Sequence, residues 1–463
     1  MNRNRLKVAV IVDNPFRDLE GAALVARELA KRSAVACLVP MYEQAYDIPS
    51  FRPNVVLANY VRANNKSLLA SYRASGAAIV IMDTEGNGGE DPLAYADSVL
   101  AEQPGVLVDA YCLWGKDQYD AFVERAVLPN SALALTGAPR YDLFSSKWER
   151  YRSPQTPEST NYVLINTNFP IVNPRFDQNT ESVVQAWIRA GISEKYSRDY
   201  ANDAIPLHRK YMDVVKEVLR RFPRVQFVLR PHPFEKIEFY QYLQDFPNCK
   251  VIQAGTSLDW VRGCAALLHL NCATSIEAVM LQREVISFEW INTQVARQKI
   301  ATDVSRQSSS LEDLCAQLAS VLSGTANSPS EQVLKSREKY IARRYEIDGQ
   351  AAARVADLCI NYGQRYTWGG KRSGDKWSLK EIVRKALGYK GFTWLQERSG
   401  GIGRTQRKGK GFSREQVSSI IDRLNEAADE VVHCNVLSQS APGRSYRWST
   451  SGASVVVHAK SGQ

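Results

Sequence analysis

The chain has 463 residues, 59 of them Lys or Arg and 49 Asp or Glu, which gives a formal net charge of +10 with 44% hydrophobic residues. This composition is typical of a globular protein with two or three domains and excludes a disordered chain. No apolar run approaches the roughly 18 residues of a membrane span, and the first strand begins too early for a signal peptide, so we expect a cytoplasmic protein. Five His and eight Cys without HExxH or CxxC spacing do not indicate a zinc site.

Short apolar strands separated by helical stretches make up the first third of the chain. The strands are predicted at residues 6–12, 35–40, 55–59, 77–82, 106–114 and 132–135. This alternation predicts a doubly wound parallel sheet, and we assign residues 1–152 to a first Rossmann-like domain. No GxGxxG follows the first strand, so a dinucleotide is not indicated.

Acidic residues follow the strand at 77–82, in the segment Asp83-Thr84-Glu85-Gly86. The carboxyl ends of parallel strands form the ligand-binding edge of a sheet, and glycine allows the backbone to approach a ligand closely. Burial in an interdomain cleft would raise a carboxyl pKa toward neutrality, as general acid or base catalysis requires. Two alternatives are a DxD-like metal site and a solvated acidic turn.

A glycine turn also follows the strand at 132–135, in Gly137-Ala138-Pro139-Arg140-Tyr141-Asp142. Arg140 is suited either to neutralising a carboxylate of a ligand or to bracing a domain interface. Residues 153–158 are polar and proline-bearing, as in an interdomain linker.

The second domain is predicted at residues 158–345. Its first strand ends in Asn166-Thr167-Asn168-Phe169, whose amides are able to bind sugar hydroxyls or a base edge, or to lock a turn. A later strand runs into Arg230-Pro231-His232-Pro233. The prolines end that strand, so His232 lies in the loop at its carboxyl end, where ligands bind; a rigid turn without a ligand is the alternative.

A second signal follows in the segment from Ala265 to Leu281. It predicts a short strand, a turn containing Asn271, and a helix capped by Thr274 or Ser275. The free amides and partial positive charge of a helix start suit a phosphate without a metal, although an ordinary capped helix has the same pattern.

Together these segments resemble the bacterial surface-polysaccharide glycosyltransferases with the GT-B fold. The similarity is to the bacterial sialyltransferases and to the Kdo transferases of capsule and lipopolysaccharide, which use CMP-activated sugars, and it covers residues 1 to about 345. Glu85 before Gly86 fits the catalytic carboxylate of those enzymes. Thr84 replaces their first acid and Asp83 lies one place too early, which leaves the role of Asp83 open.

The resemblance implies an α/β GT-B fold, with two Rossmann-like domains facing across a cleft, and the composition adds a basic C-terminal tail. It implies Glu85 and Asp83 as catalytic candidates. It also implies a set of donor-binding residues: Arg230, His232, Pro233, Asn271, Thr274, Ser275, Asn166, Asn168 and Arg140. The expected reaction transfers Kdo or a related acidic sugar from CMP to a glycan or glycolipid acceptor, without a metal or a further cofactor. The alternatives are a CDP-glycerol-type polyol-phosphate transferase, which shares the Gly-x-Pro-Arg-x-Asp element, and a non-catalytic GT-B scaffold at a membrane.

Residues 346–463 form an extension of unknown role, rich in Gly, Lys and Arg from about residue 365. Much of the positive charge lies there, in Lys371, Arg372, Lys380, Arg384, Lys385, Lys390, Arg398, Arg404, Arg407, Lys408, Lys410 and Arg414. Few aromatic residues interleave with these cations, which argues against a nucleic-acid partner. We expect peripheral contact with the anionic inner face of the cytoplasmic membrane, and a solvated basic tail is the alternative.

Overall fold

The computed structural model describes residues 5–84, 91–151, 161–189, 192–368, 379–398, 407, 409–438 and 453–460. The chain divides into two compact units. Unit 1 comprises Met1–Tyr151 and Arg343–Gln463, and unit 2 comprises Arg152–Ala342.

Six parallel strands form most of the unit 1 sheet. They are β1 (Lys7–Val12), β2 (Val35–Pro40), β3 (Val55–Ala58), β4 (Ala78–Ile81), β5 (Ala110–Leu113) and β6 (Leu133–Leu135), in the spatial order β2-β1-β3-β4-β5-β6. The side chains of β1 to β5 are almost all buried, as is typical of parallel strands covered on both faces. The sheet therefore forms the core of this unit.

Helices connect these strands. They are α1 (Pro15–Lys31), α2 (Gln44–Phe51), α3 (Lys66–Ala74), α4 (Pro92–Ala101), α5 (Lys116–Glu124) and the short α6 (Pro139–Asp142). Helix α1 begins as its sequence predicts, because the Asn14 side chain accepts a hydrogen bond from the Phe16 amide and Pro15 occupies the first helical position.

Unit 2 has a second parallel sheet. Its strands are β7 (Tyr162–Asn166), β8 (Gln226–Arg230), β9 (Cys249–Val251), β10 (Cys264–His269), β11 (Glu284–Ser287) and β12 (Arg306–Gln307), in the order β12-β11-β10-β7-β8-β9. Its helices are α7 (Thr180–Arg189), α8 (Glu194–Arg221), α9 (Ser257–Gly263), α10 (Thr274–Met280), α11 (Lys299–Asp303), α12 (Leu311–Leu322) and α13 (Glu331–Arg337). The predicted fold class, α/β with two Rossmann-like sheets, is confirmed.

After unit 2 the chain returns to unit 1 instead of forming a separate extension. The returning elements are α14 (Ala351–Gly363), α15 (Leu379–Arg398), α16 (Arg414–Ala427), β13 (Cys434–Ser438) and β14 (Val455–Ala459). Strand β14 pairs antiparallel with β2, and β13 pairs with β14, so the unit 1 sheet has eight strands. Helices α14 and α16 both contact α1. The apolar faces of these elements, including fully buried Val457, explain why they join the core of unit 1.

Two contacts within unit 1 hold the returning chain. The buried Asp142 carboxylate accepts hydrogen bonds from the amides of Ala351 and Ala352, both at 2.8 Å, and so caps helix α14. Gly115 lies against the backbone of Arg344, and a Cβ at position 115 would come within 2.2 Å of the Arg344 carbonyl carbon. Glycine is therefore required at this approach.

Among the helices that the structure describes, none combines the length and the apolar character that crossing a bilayer would require.

Candidate functional site

Three adjacent strands of unit 2 bring most of the predicted donor-binding residues to one edge of its sheet. The register aligns Asn166 of β7 with Arg230 of β8 on one side and with His269 of β10 on the other. The segments after these strands therefore leave the sheet side by side at its carboxyl edge, where open α/β sheets bind ligands.

His232 is held in a defined orientation in the loop after β8. Its amide donates to Thr167 Oγ1 at 3.2 Å, and its Nδ1 accepts from the Phe234 amide at 3.2 Å. Burial lowers the pKa of His232 to about 4, so the ring is neutral at pH 7. Because Nδ1 is an acceptor, Nε2 carries the proton and is the hydrogen-bond donor of the ring.

Glu235 organises this loop, although no pattern in the sequence singles it out. Its fully buried carboxylate accepts from Thr167 Oγ1 at 2.9 and 3.0 Å, from the Phe169 amide at 2.8 Å and from the Tyr240 hydroxyl. Burial raises the pKa of Glu235 to about 7. The carboxylate thus fastens the loop after β7 to the loop after β8.

The turn after β10 is joined to the same loops. Asn271 adopts a left-handed conformation with φ of +58°, which Asn tolerates better than most residues. Asn168 Nδ2 donates to Asn271 O at 2.6 Å, and Asn166 Nδ2 lies 3.9 Å from Cys272 Sγ. Cys272 Sγ in turn lies 3.4 Å from Thr274 Oγ1. These contacts join the turn after β10 to the loop after β7, whose Thr167 binds the His232 amide.

Ser275 is less accessible than its predicted role requires. Its amide donates to Cys272 O at 3.1 Å, and its hydroxyl is fully buried without a hydrogen-bond partner. Helix α10 has seven residues and begins at Thr274 with Ala273 as its N-cap, so the prediction that Thr274 or Ser275 caps it is wrong. The Ser275 amide is thus part of the turn in this conformation.

Arg230 points its guanidinium at the backbone. It donates to the carbonyls of Thr256, Ala254 and Gly255 at 3.2, 3.4 and 2.9 Å. Burial lowers its pKa to about 10, which leaves it cationic at pH 7. Arg230 therefore binds the backbone of the loop that precedes α9. The carbonyl of Pro233, another predicted donor-binding residue, accepts a hydrogen bond from Arg175 at 3.3 Å.

In unit 1, the predicted catalytic candidate Asp83 follows β4, whereas Glu85 lies outside the described residues. Asp83 is fully buried and left-handed, with φ of +52°. Its carboxylate accepts from the Tyr111 hydroxyl at 2.6 Å and from the Tyr95 hydroxyl. Burial and the neighbouring Asp83 charge raise the pKa of both tyrosines well above its usual value, so both remain donors.

Asp83 also lies at a small pocket within unit 1. Its lining includes Asp18, Met82, Asp83, Thr84, Trp114 and Arg140. The Arg140 guanidinium lies 5.2 Å from the Trp114 ring and 4.5 Å from the Tyr141 ring, and its Nη1 is 3.8 Å from Asp18 Oδ1. This part of unit 1 therefore combines a cation, aromatic surface and carboxylates beside Asp83 and Thr84.

No family model and no curated protein matches the chain. Its fold is similar to that of several solved structures at low identity. A putative UDP-N-acetylglucosamine 2-epimerase from Listeria monocytogenes is 11% identical with a TM-score of 0.47, over 78% of this chain and 97% of that one. A UDP-GlcNAc 2-epimerase from Neisseria meningitidis, bound to UDP-GlcNAc, is 13% identical with a TM-score of 0.46, over 77% and 100%. The wall teichoic acid polymerase TagF is 10% identical with a TM-score of 0.44, over 78% and 89%.

Proposed function

We propose that the chain is a GT-B glycosyltransferase that moves Kdo or a related acidic sugar from a CMP donor to a lipopolysaccharide or capsule acceptor. The observation that carries the proposal is the hydrogen-bonded cluster at the carboxyl edge of the unit 2 sheet. In this cluster Thr167 binds both the His232 amide and the Glu235 carboxylate, and the neighbouring Asn168 donates to Asn271 O. Such an edge is where a nucleotide binds in sheets of this kind.

His232 binds the donor phosphate in this proposal. A neutral imidazole whose Nε2 carries the proton donates one hydrogen bond to a phosphate oxygen as CMP leaves. A bound phosphate would favour the imidazolium, so donor binding should raise the low pKa of His232. The Thr274 hydroxyl and the amides of Asn166 and Asn168 supply further polar contacts to the nucleotide or sugar.

Glu85 is assigned the proton transfer from the acceptor hydroxyl. Asp83 is less suited to that step, because two tyrosine hydroxyls already occupy its carboxylate. We assign Asp83 to positioning the chain that leads into Glu85. The scheme uses no metal and no cofactor, since CMP is the leaving group and its charge is met by hydrogen-bond donors.

Calorimetry with CMP tests the unit 2 assignment. His232→Ala should weaken CMP binding about tenfold to a hundredfold, since a hydrogen bond to a charged group contributes about 1.5–3 kcal/mol. His232→Gln is the matched variant: it retains an N–H near the position of Nε2 and should lose less. Equal affinity of all three proteins would remove His232 from the site.

A transfer assay tests the unit 1 assignment. Glu85→Gln should abolish sugar transfer and leave CMP affinity unchanged, and an active Gln variant would exclude Glu85 from the chemistry. The product separates the alternatives, because a CDP-glycerol-dependent transferase would form a phosphodiester instead of a glycosidic bond. A scaffold would bind none of CMP, CDP and UDP.

A further inference from the structure

The second half of helix α15 has one face that is anchored to unit 1. Gly388 interrupts the helix with φ of +61°, and the residues after it form a separate helical segment. The rings of Tyr389 and Phe392 both lie 5.6 Å from the Tyr46 ring of α2, and Gln396 accepts from Arg407 at 2.7 Å. These positions follow helical spacing, so a single face holds the segment in place.

The other face of this segment is apolar and exposed. Trp394 and Leu395 are 49% and 44% exposed. With 3.6 residues per turn, both lie on the side of the segment away from Tyr389 and Gln396. We call Trp394 and Leu395 the exposed stripe.

Cations flank the exposed stripe. Lys390 and Arg398 are both exposed, and the Arg398 guanidinium lies 4.5 Å from the Trp394 ring. Helix α15 carries five cations, Lys380, Arg384, Lys385, Lys390 and Arg398, against the two acids Glu381 and Glu397. The sequence of α15 therefore has an excess of positive charge.

Other cations of the C-terminal region have a different role. Arg407 pairs with Glu43 at 2.8 Å, and Lys410 pairs with Asp13 at 3.1 Å, with all four side chains largely buried. These ion pairs fasten the chain after α15 to unit 1. Lys390 and Arg398, in contrast, are exposed beside the stripe.

We propose that the exposed stripe of α15 docks the protein on the surface of an anionic lipid bilayer. Tryptophan is favoured at the depth of the lipid headgroups, leucine is favoured just below it, and flanking cations are attracted to anionic lipids. The anchored face holds the stripe on a folded unit, so little ordering is required when it binds. A nucleic-acid surface would need several aromatic platforms, and the exposed stripe has one aromatic residue.

Vesicle co-sedimentation of the full chain tests this inference, with phosphatidylcholine alone or mixed with phosphatidylglycerol. We expect binding to the anionic vesicles that weakens as salt rises. Lys390→Gln with Arg398→Gln should weaken binding about fivefold for each cation removed. Trp394→Ser with Leu395→Ser should weaken it about tenfold or more.

Matched controls lie elsewhere on unit 1. Val106→Ser removes an apolar side chain that is 73% exposed, and Lys116→Gln with Arg125→Gln removes two surface cations. These controls should bind as the wild type does. Fluorescence quenching by brominated lipids should be smaller in Trp394→Phe than in the wild type, because Trp394 enters the interface.

Three results would overturn the inference. They are no binding of the wild type to anionic vesicles, wild-type binding by both stripe variants, and equal weakening by the control variants. Binding to single-stranded RNA in place of vesicles, lost in the stripe variants, would instead assign the stripe to a nucleic acid. None of these readouts depends on sugar transfer, so the inference and the proposed function fail separately.

Discussion

The cap that Asp142 places on helix α14 predicts a large loss of stability when it is removed. In Asp142→Ala, the amides of Ala351 and Ala352 lose their acceptor, and both residues are buried. A buried donor without a partner costs about 1–3 kcal/mol, whereas removing a buried carboxylate recovers part of its desolvation. We expect unit 1 to lose about 3 kcal/mol of unfolding free energy at pH 7.

The contribution of Asp142 to stability should depend on pH, because its pKa differs between the folded and the unfolded protein. Burial raises the pKa of Asp142 to about 6 in the folded protein, above its ordinary 3.8. Between about pH 4 and pH 6 the folded state keeps a proton that the unfolded state has lost, so the contribution of Asp142 to stability falls as pH rises through this window. The change is up to about 3 kcal/mol. The difference between wild type and Asp142→Ala should therefore be larger at pH 4 than at pH 7.

Urea unfolding and hydrogen exchange together measure the effect. The transition of unit 1 should move in Asp142→Ala while that of unit 2 does not, and the first amides of α14 should lose protection from exchange. Asp348→Asn is the matched control, because Asp348 is an exposed acid that pairs with Arg354 of α14. It should change stability by less than about 1 kcal/mol. Equal stability of the two variants, or unchanged exchange at Ala351, would refute the capping argument.

Two further predictions concern close contacts in each unit. Gly115→Ala should destabilise unit 1 by about 3 kcal/mol, because the backbone of Arg344 would have to shift to admit the Cβ. Gly105→Ala, where a Cβ meets nothing within 4 Å, should be neutral or slightly stabilising in thermal unfolding. Thr167→Val should cost unit 2 about 1–3 kcal/mol and raise the pKa of Glu235 further, since the carboxylate loses a donor. Unfolding curves at pH 5 and pH 8 test the Thr167→Val prediction. The variant should lose more unfolding free energy at pH 8, where Glu235 is ionised, than at pH 5. An equal loss at the two pH values would contradict the prediction.

The sheets were predictable because their strands are nearly continuous apolar runs. The strand predicted to run into Arg230-Pro231-His232-Pro233 is β8, which spans Gln226–Arg230. The attachment of the C-terminal elements to unit 1 was not predictable. Periodicity shows that Val455 to Val457 form a strand, but it does not identify β2 as the free edge with which they pair.

The candidate site was predictable in location but not in its contacts. Prolines after β8 put His232 at the carboxyl edge of the sheet, yet the charge of Arg230 did not reveal that backbone carbonyls would be its partners. Glu235 was missed because a buried carboxylate has no local sequence signature. Its role depends on Thr167 and Tyr240, which are distant in sequence.

Each unit has a fully buried carboxylate that accepts hydrogen bonds from side-chain hydroxyls, and in each unit it lies in a loop with predicted site residues. Asp83 is bound by Tyr95 and Tyr111, and Glu235 is bound by Thr167 and Tyr240. Such a carboxylate is strongly disfavoured without its donors, so each loop is held in one arrangement before any ligand arrives. A site ordered in advance loses less entropy on binding and keeps its reactive groups aligned. The weakening of these hydroxyl contacts should therefore lower ligand affinity even where no altered residue touches the ligand.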